Sequence, residues 1–362
     1  MSRETSEHLN QWTLIGNTDQ RGTAWHYRLS SQGKENNHYP AAVPVADVER
    51  RLFYWKAQVA PLRYDIPASG LEDATHLGAD GAYMKTVTDE TRNVTYHGET
   101  GVAFGVFKTS TVHQYREWLL NGLAQLVTPD GLAVTTDSLG ISSAGLLRGG
   151  AQAWVQIERP DTVRTREGVD FRTSLLACSS HDGSLATSFS AVHTMVVCDN
   201  TMAWALDEAR ESGLRWKIKR STKSMARLND ARDALGLIVE SEDTFAKDVA
   251  RLCETKVSPR QFDSFLTFWN PIPEGQGAPR TRAEKRRDAL LTLWNNDNRV
   301  TQWKGTAFGV LQAVNTYNHH IAAVRGTDMT RAERNMSRAM TGEAGERDTK
   351  TLNLLTRILE TA

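Results

Sequence analysis

Three runs rich in β-branched and apolar residues follow one another between residues 139 and 200: "LGISSAGLLRGGAQAWVQIERP", "VDFRTSLLACSSHDGSL" and "ATSFSAVHTMVVCDN". Turn formers punctuate them at Gly149 and Gly150, in "RPDTVRTREGVD" and in "SSHDGS". Such side chains suit a pleated, buried surface, while glycine, aspartate and serine suit tight reversals. Strands joined by short turns pair antiparallel, because a parallel pair needs a long crossover. The expected centre of this chain is therefore an antiparallel β-meander.

The flanks predict helices around that sheet. "YHGETGVAFGVFKTS" reads as a strand or hairpin, and "TVHQYREWLLNGLAQLV" has apolar residues at helical spacing from Val112 to Val127. After the meander, "TMAWALDEARESGL" predicts a helix capped by Asp199, Asn200 or Thr201, whose side-chain oxygens can accept first-turn N–H groups. Helical periodicity continues from Ser224 to Val239, restarts at a cap region Ser241 to Thr244, and recurs in "RTRAEKRRDALLTLWNN", "GTAFGVLQAVNTYNHHIAAVR" and "DTKTLNLLTRILETA". The fold class is α+β, a central antiparallel β-meander flanked by helices with a mostly helical C-terminal part. Three regions are expected: a loop-rich segment with a short helix over 1–95, the sheet core over 96–210 and the helical region over 211–362. Within the first, residues 66–95 are polar and rich in turn formers, and read as a surface connection with a small hairpin.

Several classes of function are disfavoured by composition. No apolar run approaches the ~18 to 20 residues needed to cross a bilayer, and the polar start "MSRETSEHLNQW" lacks a secretory pattern, so the cytoplasm is the expected location and no membrane partner is expected. Three cysteines, Cys178, Cys198 and Cys253, do not make a disulfide framework. The 43 basic and 43 acidic residues cancel, so attraction to nucleic acid must come from local segregation of charge.

Cys178, His181, Asp182 and Cys198 are the only close gathering of ligand-type residues in the sheet region, but they lack the short paired spacing of a structural zinc site. "HDGS" reads instead as turn chemistry and Cys198 as core filler. "GLLRGGAQ" lacks the spacing of a phosphate loop, and His319–His320 lacks the HExxH pattern of a zinc protease. No catalytic residue, cofactor or metal is assigned.

The strongest local signal is electrostatic. "LRWKIKRSTKSMARLNDAR" carries Arg215, Lys217, Lys219, Arg220, Lys223 and Arg227 with Trp216 interleaved, and "TVRTREGVDFR" adds Arg164, Arg166 and Arg172. Cations on phosphates gain affinity by counterion release, and an aromatic ring offers a stacking face to an unpaired base. If extended, the stretch puts Arg215, Lys217 and Lys219 on one face. The same charges also fit a solvated, salt-bridged helix start, and the two readings stay open at this level.

The stretches "RGTAWHYR", "NHYPAAVPVADVERRLFYW", "HQYREWLL", "SSAGLLRGGAQAWV", "SSHDGSLATSFSAVHTMVVCDNTM" and "ARDALG" together resemble an actinobacterial family of phage- and plasmid-like proteins, a domain of unknown function. The resemblance covers about residues 12 to 325 and implies mobile-element DNA as the context. The order strand, helix, meander, helix is also similar to the core of phage single-strand annealing proteins, which bind single-stranded DNA in a basic groove as rings or filaments. That likeness implies single-stranded DNA as partner and a homo-oligomer as the working form. Two other expectations stand beside it. One is a protein-interaction factor acting on host defence or replication through Trp25, Tyr27, Phe53, Tyr54 and Trp55. The other is an enzyme of unrecognised type using His181, Asp182, Cys198, Asp199 and Asn200.

Overall fold

The computed structural model describes residues 8–23, 27–109, 111–127, 139–158, 162–195, 201–202, 215–218, 229–324 and 330–361. In chain order the elements are β1 (Thr13–Ile15), α1 (Val45–Arg51), β2 (Ala57–Pro67), β3 (His76–Leu77), β4 (Tyr83–His97), β5 (Ala103–Lys108) and α2 (Tyr115–Asn121). The sheet core follows with β6 (Gly140–Leu147), β7 (Gln152–Glu158), β8 (Val163–Arg164), β9 (Asp170–Ser180), β10 (Thr187–Met195), β11 (Thr201–Met202) and β12 (Arg215–Ile218). Six helices complete the chain: α3 (Asn229–Glu254), α4 (Pro259–Trp269), α5 (Ala278–Asn296), α6 (Ala307–Thr316), α7 (Arg331–Thr341) and α8 (Glu343–Thr361). The fold is α+β, with antiparallel sheets and a helical C-terminal part.

The main sheet runs β1-β6-β7-β9-β10-β11, with β8 added to β9 and β12 added to β10. The first apolar run of the meander is two strands rather than one. It reverses at Arg148, Gly149 and Gly150, which hold φ of 50°, 62° and 96°. Two glycines are what three successive left-handed residues demand, since a Cβ is disfavoured there.

Both faces of this sheet are covered. One carries Ala153, Val155, Ile157, Leu175, Ala177 and Phe189 against α1 and α2, through Val48, Leu52, Trp118 and Leu119. The opposite face carries Leu147, Trp154, Leu176, Cys178 and Val192 against Ala339 and Met340 of α7. Trp154 lies flat over Gly145, its cross-strand neighbour, so closely that a Cβ on Gly145 would stand 2.0 Å from the indole. In the C-terminal part α6 is buried along its whole length, and α3, α5 and α8 surround it. Among the described residues no helix is long and apolar enough to cross a membrane.

Three expectations are corrected. Residues 57–108 form a second, four-stranded sheet whose main feature is a two-stranded ribbon, with β2 paired to β4 along its entire length. At about 3.3 Å per residue the ribbon is about 35 Å long. The sequence of this segment is polar because most of both ribbon faces meets solvent, which removes the apolar alternation that marks a half-buried strand. The break expected at Ser241 to Thr244 is absent, for α3 continues through it to Glu254. The helix expected over 201–214 begins instead as strand at Thr201–Met202, and the remainder of it lies outside the described residues.

His193 on β10 shows how tightly α3 closes on the sheet. It is fully buried, stacked on Phe245 at 4.1 Å between ring centres and edge-on to Phe171, with Nδ1 3.0 Å from Thr173 Oγ1. Burial pushes its pKa down to about 3. Between that value and the ordinary 6.5 the unfolded chain holds a proton that the folded chain refuses, so stability falls as pH drops through this window, by at most about 1.4 kcal/mol per pH unit. Urea denaturation at pH 7 and pH 5 is expected to show this loss. In His193→Phe, which removes the titrating ring, the loss should be smaller by about 2 kcal/mol; equal losses in both proteins would contradict the assignment.

Candidate nucleic-acid interface and a second polar cleft

The expected basic surface is only partly within the described residues. Lys219, Arg220, Lys223 and Arg227 lie outside them. Arg215, Trp216 and Lys217 form β12, which is extended and pairs antiparallel with β10 beyond the meander. The register sets Arg215 opposite Ser190, Trp216 opposite Phe189 and Lys217 opposite Ser188. Its described part, Arg215–Ile218, is thus a strand on the far side of β10 from β9.

The arginines of the β8–β9 turn behave differently from one another. Arg166 is exposed. Arg164 is also exposed and forms a two-pronged pair with Asp170, its Nε 2.7 Å from Oδ1. Arg172 is buried, which corrects its expected place on the surface: its Nε donates to Thr162 Oγ1 and its Nη1 lies 3.9 Å from Glu158 Oε1. Strand alternation is the reason, since Arg172 shares the face of β9 with Leu176 and Cys178, which α7 and its neighbours cover.

The ligand-type residues around His181 separate onto opposite faces. Cys178 sits among Trp154, Leu176 and Val192 as a buried thiol. His181 belongs to an aromatic and imidazole cluster at the base of the ribbon, where its ring centre is 4.0 Å from Tyr115, 4.8 Å from His113 and 5.8 Å from Phe104. His97 closes the cluster by stacking on Trp55 at 3.9 Å, and burial holds its pKa below the ordinary histidine range. Hydrogen bonds tie the cluster to the sheet: Tyr115 donates its hydroxyl hydrogen to the Ala151 carbonyl, and His113 Nε2 is 2.8 Å from Ser179 Oγ. Next to it, Asp182 Oδ1 accepts from the Ser184 N–H and Gly183 takes φ 74°, the geometry of a turn. Among the described residues no three His, Cys, Asp or Glu side chains are arranged to hold a metal ion. Cys198, Asp199 and Asn200 lie outside those residues.

The aromatic residues offered as a candidate interaction patch, for which core packing was the leading expectation, are mainly core. Phe53 and Trp55 are buried against Tyr115, Tyr27 is half-buried on His38, Tyr54 is exposed, and Trp25 lies outside the described residues. Exposed apolar side chains gather instead on the ribbon, among them Tyr64, Ile66, Leu77 and Tyr83.

A second polar site went unnoticed at the level of sequence. Directly after α6 the backbone makes a π-helical turn, Tyr317–Ile321, and residues of α7 grip its carbonyl groups. Arg334 donates to the Asn318 and Ala322 carbonyls, Arg331 to His320 and Asn335 Nδ2 to His319. These cations meet the negative end of the helix, where orphan carbonyls need donors. Beside them opens a cleft of about 290 Å³, mouth included, lined by Asn315, Asn318, His319, Asn335, Arg338, Ala344, Arg347 and Asp348. Arg347 pairs with Glu343 at 2.7 Å, and Arg338 approaches the same carboxylate at 3.4 Å. Burial, then the neighbouring arginines Arg338, Arg331 and Arg347, pull Arg334 down to about 10. His319 is pushed to about 3 by burial first and then by His320 and three of these arginines. The only sequence trace of this site is the spacing of Arg331, Arg334 and Arg338 along one helix face, which by itself looks like any solvated stripe.

No curated protein and no solved structure matches the chain. A family described as a domain of unknown function, DUF932, matches residues 106–340, from within β5 to the end of α7. The match leaves the whole ribbon outside and takes in the meander, β12 and the helices through the arginine grip of α7. This 362-residue chain belongs to the DUF932 family.

Proposed function

We propose that this protein acts without chemistry on nucleic acid, binding single-stranded DNA of phage or plasmid origin in the bacterial cytoplasm and promoting its annealing. The observation that carries the reading is the strand conformation of Arg215–Ile218, which sets Arg215 and Lys217 at alternate positions along the outer side of β10. Cations at alternate positions of a strand share one face and can follow successive phosphates, while Trp216 belongs to the opposite face, the one that carries Phe189. Lys219, Arg220 and Lys223 continue the same track in sequence. The element order adds to it in part: β5, the helix α2 and the meander follow one another, as the strand, helix and meander do in the annealing proteins, whereas the helix expected directly after the meander begins as β11; this is a likeness of layout and not of measured activity.

Fluorescence anisotropy of a labelled single-stranded oligonucleotide tests the reading. Five neutralised phosphates on a single strand predict a log–log salt slope of about −3.5. The triple variant Lys217→Glu/Lys219→Glu/Arg220→Glu should lose most of the low-salt affinity. A salt-independent signal, or a variant that binds like the unaltered protein, would refute it.

A competing reading, a protein-interaction factor, draws on the ribbon. Exposed Tyr64, Ile66, Leu77 and Tyr83 stand on a segment that carries more acidic than basic residues, a surface suited to a protein partner and not to a polyanion. Absence of oligonucleotide binding at low salt would favour this reading.

A further inference from the structure

We propose that the cleft between the π-helical turn, α7 and α8 binds a phosphate group, held by the side chains of Asn315, Arg338 and Arg347. The inference stands on residues far in sequence from β12 and does not depend on the nucleic-acid reading.

Asn315 is the starting point. It lies near the end of the buried helix α6, is 2 % exposed, and its Nδ2 has no hydrogen-bond partner among the described residues. A buried amide nitrogen left without an acceptor costs about 1–3 kcal/mol, so an acceptor is expected where that N–H₂ group lies. Asn315 lines the cleft, and so do the guanidinium groups of Arg338 and Arg347 from two other helices. Three donor side chains from α6, α7 and α8 thus surround one small space, and guanidinium groups match the oxygen geometry of phosphate.

The surroundings favour an anion there. Arg331 and Arg334 are committed to the carbonyls of the turn, and the charge of Arg334 still acts on His319 in the cleft wall. The pKa values of Arg334, Arg338 and His319 are all displaced toward the neutral form, with neighbouring arginines contributing in each case. A bound oxyanion relieves that repulsion. The cleft is open to solvent, so a ligand there would be only partly engulfed.

Two carboxylates limit the class of anion. Glu343 sits at the rim, shared by Arg338 and Arg347, and Asp348 is buried in the cleft wall. Asp348 is unfavourable to a fully deprotonated oxyanion. With its second pKa near 6, a phosphate group is about half monoprotonated around pH 6, and in that form it can donate the proton to a carboxylate. Sulfate has no such proton, so the site should prefer phosphate.

The test uses the full chain and inorganic phosphate, with sodium chloride and sodium sulfate at matched ionic strength as controls. Phosphate should raise the melting temperature in a concentration-dependent way and broaden its own ³¹P resonance, with sulfate weaker. Asn315→Asp, which replaces the donor by an acceptor of the same shape, should weaken phosphate binding at least tenfold, and Arg347→Gln should do the same while far-UV circular dichroism stays unchanged. An identical response to phosphate and chloride means that the cleft holds only water and overturns the proposal. So does sulfate binding as tightly as phosphate, or undiminished phosphate binding by both variants. Competition between inorganic phosphate and a 5′-phosphorylated oligonucleotide, but not its 5′-hydroxyl counterpart, would identify a nucleic-acid end as the source; no competition by either would identify a free phosphate compound. The Lys217→Glu/Lys219→Glu/Arg220→Glu variant should keep the phosphate response, which separates this site from the one at β12.

Discussion

Replacing Arg172 by methionine is expected to lower folding stability by about 3–5 kcal/mol, measured by urea denaturation at neutral pH. Glu158 and Arg172 are almost completely buried on one face of the sheet, with Asn17 Nδ2 donating to Glu158 Oε1 at 3.0 Å. Removing the guanidinium leaves a carboxylate in a poorly solvated place without its cationic neighbour Arg172, and an uncompensated buried charge is among the costliest single defects. The double variant Arg172→Met/Glu158→Gln should recover a large part of the loss, because it removes both charges together. If the double variant is as unstable as the sum of the two single ones, the pair is not coupled and the cost arises elsewhere. The same experiment separates two roles for Arg172. A residue held in the interior changes stability and leaves the oligonucleotide affinity of the folded fraction unchanged, whereas a phosphate contact would do the reverse.

Gly145→Ala should cost about 3 kcal/mol or more. The new Cβ would overlap the Trp154 ring, which is 3 % exposed and wedged among Leu147, Leu176 and Val192 under α7. The tryptophan cannot slide away within a close-packed layer, so either the indole leaves its seat or β6 and β7 part. A double-mutant cycle with Trp154→Leu distinguishes this overlap from a general intolerance of β6. Once the indole is gone the alanine has room, and the double variant should be no less stable than Trp154→Leu alone. A coupling energy within about 0.3–0.5 kcal/mol of zero would show that Gly145 is required for some other reason.

The meander was legible from residues 139 to 195 because its information is local. Period-two burial and glycine at the reversal are properties of neighbouring residues, and they hold whatever the rest of the chain does. The helices over 278–296 and 343–361 were legible for the same reason, through their 3.6-residue period. The ribbon was not. A strand exposed on both faces has no apolar alternation to display, so β2 and β4 look like loop until they pair.

Sites followed the same division. The basic character of 215–223 is written in the sequence, but not the strand that Arg215–Ile218 forms against β10, which depends on pairing with Thr187–Ser190 some 27 positions earlier in the chain. Arg172 has the sequence surroundings of a surface arginine, and only the cover of the second sheet face made it an interior one. Asn315, Arg338 and Arg347 carry no common motif. They meet because α6 ends in a π-helical turn that α7 grips and α8 then crosses, and nothing in the spacing of 23 and 9 residues between them announces a shared cleft. By itself the sequence determined the α+β class and the central meander, since hydrophobic period and turn chemistry act over a few residues. Only the tertiary structure decided which charges are buried, which are presented to solvent and which converge, because burial and convergence depend on distances between segments that no local pattern encodes.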